Sequence, residues 1–375
     1  MTASAEHGMF VVLILVMNIL RLHSKSPVTR HTSIYLSHQL QPINVFVKRD
    51  DQLQGFAGLS GNKGRKFIDL MKILAAHDGL QVVSHGGTQS NSMGAIARLV
   101  GTMNKLHQKN HIFTYYTKKL SEMAKKSIND ESNLSTAINT CHMQHIEVDE
   151  GEYGNIAELV NRKGRLSNIE HGKVYIPIGG FGLISQNGCK QLAKELAEDM
   201  ADISASYSIK KFAIVFACGT GTTAFYTANE LYKFVNAQNN ITEGINRIDV
   251  QVLAVPCVGN GNYVQRQMES LPLPDCERRQ YPFIVENPGK NKPFGSVNKL
   301  HYDLWSSLQA QLQMQLDLLY FPKCMETFVN YLQSDAGQTL YNSILTNQAA
   351  LLYYHCGGVE GNLSQLRRYK YAKIL

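Results

Sequence analysis

Paired cysteines are what this sequence most plainly lacks. The seven cysteines stand at 141, 189, 218, 257, 276, 324 and 356, and no two form a Cys-x-x-Cys pair. An odd count without paired spacing implies neither a zinc ribbon nor a disulfide framework, and free thiols fit a reducing, cytoplasmic compartment. His-Glu-x-x-His is missing as well. His107/His111 and His142/His145 have ligand-like gaps but no third ligand in view, so no metal is expected. Charge is sparse, 18% of residues against about 25% in an average soluble chain, and 44% are hydrophobic. Disordered and fibrous classes are excluded by that balance. The net charge, 37 − 30 = +7, is spread over scattered pairs (Lys118-Lys119, Lys125-Lys126, Lys210-Lys211, Arg278-Arg279) and a short run from Arg367 to Lys373. A nucleic-acid binder concentrates its cations on one element, so no nucleic-acid partner is expected.

Long apolar runs are scarce too. Met9–Leu20 is apolar except for Asn18, but twelve residues fall short of the roughly 20 that a spanning helix needs. A secretory signal places positive charge ahead of its apolar stretch. Residues 1–8 carry only Glu6 and His7, the cations Arg21 and Lys25 follow instead, and no small-residue cleavage site comes after Leu20. The segment 1–25 therefore reads as a buried or loosely attached extension. A targeting signal and an unused upstream start are the alternatives, and no membrane partner is expected.

What is present is alternation. A length of 375 residues argues for two domains at about 150 residues each. Strand-like runs at 44–48, 80–84, 111–116, 173–177, 211–217 and 249–255 alternate with helix-like stretches at 66–77, 90–107, 118–127 and 224–235. Such alternation predicts an α/β fold with mostly parallel sheets, in which ligands sit at the carboxyl ends of strands.

Three loops carry chemistry. Ser84-His85-Gly86-Gly87-Thr88-Gln89-Ser90-Asn91 joins a strand to a helix; its glycines permit a tight turn, and the helix start favours an anion such as a carboxylate. A capped turn with Ser90 or Asn91 at the N-cap is the plainer reading. In Cys218-Gly219-Thr220-Gly221-Thr222-Thr223, successive amides and hydroxyls suit one phosphate. A dinucleotide is disfavoured: the acid of the following strand, Asp249, opens that strand and does not close it. Gly58 to Lys66 sets Lys63, Arg65 and Lys66 on a glycine-bordered turn, where an amine can be aimed into a site or merely solvated.

A lysine for an aldehyde, a nest for one phosphate and a loop for a carboxylate together describe a pyridoxal-phosphate site. On these motifs the sequence resembles the 1-aminocyclopropane-1-carboxylate deaminase/D-cysteine desulfhydrase group of pyridoxal-phosphate enzymes. The resemblance covers roughly residues 26–363. It runs in order through VFVKRDD (45–51), GLSGNKGRKF (58–67), VVSHGGTQSN (82–91), YIPIGGFGLISQNG (175–188), FACGTGTTA (216–224), LDLLYFPKCM (316–325) and YYHCGGVEG (353–361).

The resemblance implies a tryptophan synthase β-subunit-like (type II), two-domain, three-layer α/β/α fold. A large domain would comprise 26–63 and 178–375, with a smaller one, 64–177, inserted. By the same resemblance Lys63 would bind the cofactor aldehyde, with Lys66 near the phosphate end. Cys218, Gly219, Thr220, Gly221, Thr222 and Thr223 would cradle the phosphate, and Asn91 would meet the ring hydroxyl. Gln89 and Ser90 would receive the substrate carboxylate, and Tyr320 would sit beside the substrate. A small amino-acid substrate and a homodimer are implied as well. Three positions depart from the group's pattern. Phe321 stands where deaminases carry an acid, Phe294 aligns with a second tyrosine, and Cys356 falls near the pyridine nitrogen, where a thiol is only a weak donor. These departures favour elimination over cyclopropane ring opening. A racemase, or a cofactor-binding protein without turnover, are the other readings.

Overall fold

The computed structural model describes residues 25–375 except 54, 60, 123–124, 126–127, 129–131, 167, 242–246, 274–278 and 287–291. The apolar stretch 9–20 and Cys276 lie outside the described residues, as do Ser60, Lys126 and Arg278. Among the described residues no helix is long and apolar enough to cross a membrane.

Strands β1 (Val28–Ile34) and β2 (Ile43–Arg49) open the chain as an antiparallel pair. Strands β3 (Gln81–His85), β4 (Ile112–Lys118), β5 (Gln144–Val148), β6 (Ile169–Glu170) and β7 (Lys173–Ile176) then form a separate sheet of order β5-β4-β3-β7-β6. Strands β8 (Lys211–Cys218), β9 (Asp249–Pro256), β10 (Phe283–Ile284) and β11 (Ala349–His355) complete the first sheet, of order β1-β2-β11-β8-β9-β10. Every pairing is parallel except β1 with β2 and β6 with β7. Helices separate the parallel strands, as crossover connections demand.

The chain accordingly divides into two compact units, Gln52–Gly188 and Ser26–Asp51 with Cys189–Leu375. These limits differ from the expected 63/64 and 177/178. The helix Gly61–Lys66 packs on the helix Asn91–His107 of the inserted unit, so residues 52–63 go with that unit. Each unit has its own core. Leu70, Leu74, Val82, Ile96, Phe113 and Ile176 are buried in the inserted one, and Val47, Val215, Leu253, Leu316, Phe328 and Leu332 in the other.

The 17-residue helix Asn91–His107 shows how local sequence sets an element. Met93, Ile96, Val100 and Met103 are buried at a helical spacing that lines one face, the Ser90 side chain caps the start, and left-handed Gln108 ends it. The expected helix 118–127 is corrected at its start. Lys118 closes β4 opposite Val148, where its ammonium pairs with Glu150. Its neighbour Thr117, β-branched and buried, carries the strand past residue 116.

Candidate active site

Two groups of polar side chains stand at carboxyl ends of strands, one in each unit. In the inserted unit, parallel β3 and β7 run side by side with Ser84 opposite Ile176, so the segments that leave them emerge at one sheet edge. From β3 comes the loop 86–90. Gly86 has φ +147°, and a Cβ there would stand 2.5 Å from the Tyr115 hydroxyl, so only glycine fits. That hydroxyl donates to the Gly87 carbonyl at 3.2 Å. Behind the loop, His85 is buried between the Tyr153 hydroxyl and Asn161 Oδ1, each at 3.1 Å. Nε2 donates to the amide oxygen and Nδ1 accepts from the phenol, a neutral imidazole. Burial lowers its pKa, against the weaker opposing pull of Asn161.

Ser90 is the N-cap expected of it, its Oγ accepting from the Met93 amide at 3.2 Å. Asn133 donates from Nδ2 to Asn91 Oδ1 at 2.9 Å and to the Gln89 carbonyl at 3.3 Å, which fixes both residues of the loop. From β7 comes the turn Ile178–Gly180. The Gly179 carbonyl accepts from Lys63 Nζ at 3.3 Å and from Lys66 Nζ at 2.9 Å. The structure therefore brings Lys63, Lys66, Gln89, Ser90 and Asn91 to the same edge of one sheet, with Lys63 half-buried.

In the other unit, β8, β9 and β11 end side by side. β8 runs through Cys218-Gly219-Thr220-Gly221 into the 20-residue helix Thr222–Ile241, whose N-terminal amides and dipole face the loop. Gly221 has φ +72°, and a Cβ there would stand 2.7 Å from Met268 Cε and 3.0 Å from Val264 Cγ1. A Cβ on Gly219 would stand 3.5 Å from the Tyr320 hydroxyl, so that hydroxyl lies over the bare backbone of the loop. Thr220 and Thr222 share a 2.7 Å hydroxyl bond. The Cys218 thiol turns back to the Phe216 carbonyl at 3.5 Å, so this residue offers the loop its backbone. Backbone amides, hydroxyls and a helix start on a glycine floor suit a phosphate monoester, so the residues fit the group that the motifs imply.

Tyr320 packs against Phe294 with ring centroids 4.8 Å apart. Burial pushes its phenol well above the ordinary tyrosine range, with Cys257, Cys356, Asp317 and Tyr263 adding to the effect. Phe321, one residue on, points elsewhere. It is 1% exposed and packs edge-on against Tyr353 at 5.4 Å in the core. Cys356 follows β11, its thiol 4.0 Å from the Gly357 carbonyl. His355 donates from Nε2 to the Gln315 carbonyl at 2.7 Å and accepts the Gly357 amide on Nδ1 at 3.3 Å, which holds that turn.

Asp317, Tyr115, Tyr263 and Cys257 were not singled out from sequence, and His85 only as a member of its loop. Asp317 stands four residues ahead of Phe321-Pro322, inside the apolar run LDLLYF. Tyr115 and Tyr263 look like ordinary strand and helix aromatics.

No family model matches this sequence, and none of the curated proteins does. Among solved structures the chain is similar to a hydrogen sulfide-producing enzyme, determined as a mutant with an alpha-aminoacrylate intermediate. That match has a TM-score of 0.52 at 13% identity and covers 93% of this chain and 90% of that one. A second is the serine racemase of Dictyostelium discoideum, with a TM-score of 0.51 at 10% identity over 92% and 96% of the two chains. The fold is the tryptophan synthase β-subunit-like, type II α/β fold.

Proposed function

We propose that the chain is a pyridoxal-phosphate-dependent lyase of the 1-aminocyclopropane-1-carboxylate deaminase/D-cysteine desulfhydrase group. It would act on a small amino acid by D-cysteine-like elimination. The observation that carries the reading is the glycine-floored loop Gly219–Thr223 at a helix start, with the Tyr320 hydroxyl over Gly219. Lys63 is the amine for the cofactor aldehyde, Asn91 meets the ring hydroxyl, and Lys66 and the loop serve the phosphate. The bound cofactor supplies an electron sink for the pair left when the substrate Cα loses its proton.

The chain's own residues do the rest. Ser90, Gln89 and the start of the helix Asn91–His107 receive the substrate carboxylate, which the helix dipole favours. The Lys63 amine takes the Cα proton and returns one to the departing group. Tyr320, its phenol shifted upward by burial, would stand beside the substrate as a hydrogen-bond donor. Cys356 offers the ring nitrogen only a weak donor, which suits elimination over transamination. D-cysteine and water would leave as 2-oxo acid, ammonia and sulfide.

Two observations favour elimination over ring opening. Phe321 is committed to the core, and Phe294 brings no hydroxyl to Tyr320. The alternatives on the same residues are ring opening of the cyclopropane substrate, racemisation, or cofactor binding without turnover. A homodimer in the cytoplasm belongs to the same reading.

Purified protein is expected to be yellow and to carry the cofactor on Lys63 after borohydride reduction. Lys63→Ala is expected to be colourless after the same treatment, with turnover lower by roughly 10²–10⁴. Release of oxo acid from D-cysteine, D-serine and the cyclopropane amino acid ranks the substrates. A wild type that stays colourless with added cofactor overturns the reading.

A further inference from the structure

Tyr320 occupies the N-cap of the helix Phe321–Gln333, a position at which its side chain makes no capping bond. Serine, threonine, aspartate and asparagine prevail there because their short side-chain oxygens reach the helix's first amides. A phenol cannot do this. Asp317, three residues upstream, reaches the first of those amides, that of Phe321, and the two that precede the helix. One oxygen, Oδ1, accepts the amides of Leu319 at 3.2 Å, Tyr320 at 2.5 Å and Phe321 at 3.4 Å. The carboxyl is 1% exposed, and its second oxygen has no hydrogen-bond partner among the described residues. Asn362 clamps the same turn, accepting the Leu318 amide and donating to the Leu316 carbonyl, both at 2.8 Å.

A carboxyl buried with one oxygen unmatched is a costly way to cap a helix. A serine or asparagine at 320 would cap it at the surface of the turn with no such burden. The arrangement is accounted for if residue 320 must carry a phenol and must not move. Tyr320 is then fixed at its amide by Asp317 and at its carbonyl by the Cys324 amide at 2.9 Å, while its ring rests on Phe294. His355, Tyr353, Cys324 and Tyr320 itself are titratable neighbours of the carboxyl.

We propose that Asp317 is the positioning residue of Tyr320: its Oδ1 holds the tyrosine backbone so that the hydroxyl stays over Gly219. The assignment rests on the proposed reaction for its kinetic consequence, but its geometric content stands apart from that reaction.

The test joins two measurements on the full chain. Fluorine NMR of a fluorotyrosine placed at position 320 reports the ring's surroundings without turnover. Asp317→Ala is expected to shift or broaden that resonance, and Asp317→Asn, whose amide oxygen accepts the same three amides, to restore it. With cofactor bound, Asp317→Ala is expected to lower kcat/KM for D-cysteine roughly a hundred-fold, the order expected for a group misplaced by an ångström. In a Tyr320→Phe background it should bring no further loss. If Asp317→Ala lowers the melting temperature but leaves the fluorine resonance unchanged, Asp317 is a helix cap only and the proposal falls. It falls equally if the two kinetic losses multiply. If Asp317→Ala does not fold, the Asp317→Asn resonance decides, and a shifted line there overturns the proposal. A wild type without turnover refutes the reaction and leaves the fluorine measurement to judge Asp317.

Discussion

Gly221 has room for a hydrogen and nothing larger. Its φ of +72° lies where L side chains are strained, and the space beyond is filled by Met268 and Val264. Gly221→Ala is expected to cost roughly 1–3 kcal/mol by overpacking, and to loosen the loop that the phosphate would use. Thermal unfolding with and without inorganic phosphate checks both parts. Phosphate should raise the melting temperature of the wild type and leave that of Gly221→Ala nearly unmoved. At this scale the two polar loops were legible because glycines and hydroxyls cluster between a strand and a helix. Asp317 was not. It sits in LDLLYF, a run that reads as core, and its partners are backbone amides, which no residue pattern announces. Phe321 was legible only as a departure; its turn into the core had to be seen.

Elements bring a different lesson. In the helix Phe321–Gln333, Glu326 accepts from His301 Nε2 at 2.7 Å and from Lys292 Nζ at 2.9 Å. The His301 hydrogen bond, with Lys292 adding, holds its carboxyl down to about 2 from an ordinary 4.5. A depressed carboxylate stabilises the folded state above its unfolded pKa, and that contribution is lost as pH falls through the folded value. Glu326→Gln should therefore melt earlier than wild type at neutral pH. The gap should close between about pH 4.5 and about 2, followed by scanning calorimetry across that range. Among the strands, β8 and β9 were readable because turn residues bound them on both sides. β11 was missed, although it lies between β2 and β8. All seven of its residues are buried, so it shows no alternation, and the helical residues just before it mask its start.

Within the larger unit a buried ionic cluster ties β2 to the helix Gln186–Tyr207. Lys48 Nζ, fully buried, meets Asp199 at 2.8 Å, Glu195 at 3.0 Å and the Ser26 carbonyl at 2.6 Å. Asp50 joins the cluster through the Ser26 and Tyr354 hydroxyls, both at 2.6 Å. Lys48→Ala would strand two carboxylates away from water, and is expected to cost about 3–5 kcal/mol in urea unfolding. A return to near wild-type stability in Lys48→Ala would refute the cluster's role. Nothing in the sequence pointed here, because the four charged residues are spread over positions 48 to 199 and each alone resembles a surface charge. The two-part organisation was legible from length and alternation. Its limits were not, since they depend on which unit the helix Gly61–Lys66 packs against.

Tyr354 and Asp50 are 304 positions apart, and β11 fills the place between β2 and β8. A ribosome delivers the chain from the amino end, so Ser26–Asp51 leaves it long before its sheet partner exists. The stretch 52–188 is unbroken and can gather its own core as it emerges. The larger sheet must wait for Ala349–His355, some 300 positions after β2, a delay of about 15–60 s at ordinary elongation rates. During that interval the edge of β2 that β11 will cover is open to other strands. The order of translation thus sets a period in which that strand edge stands open before β11 closes it.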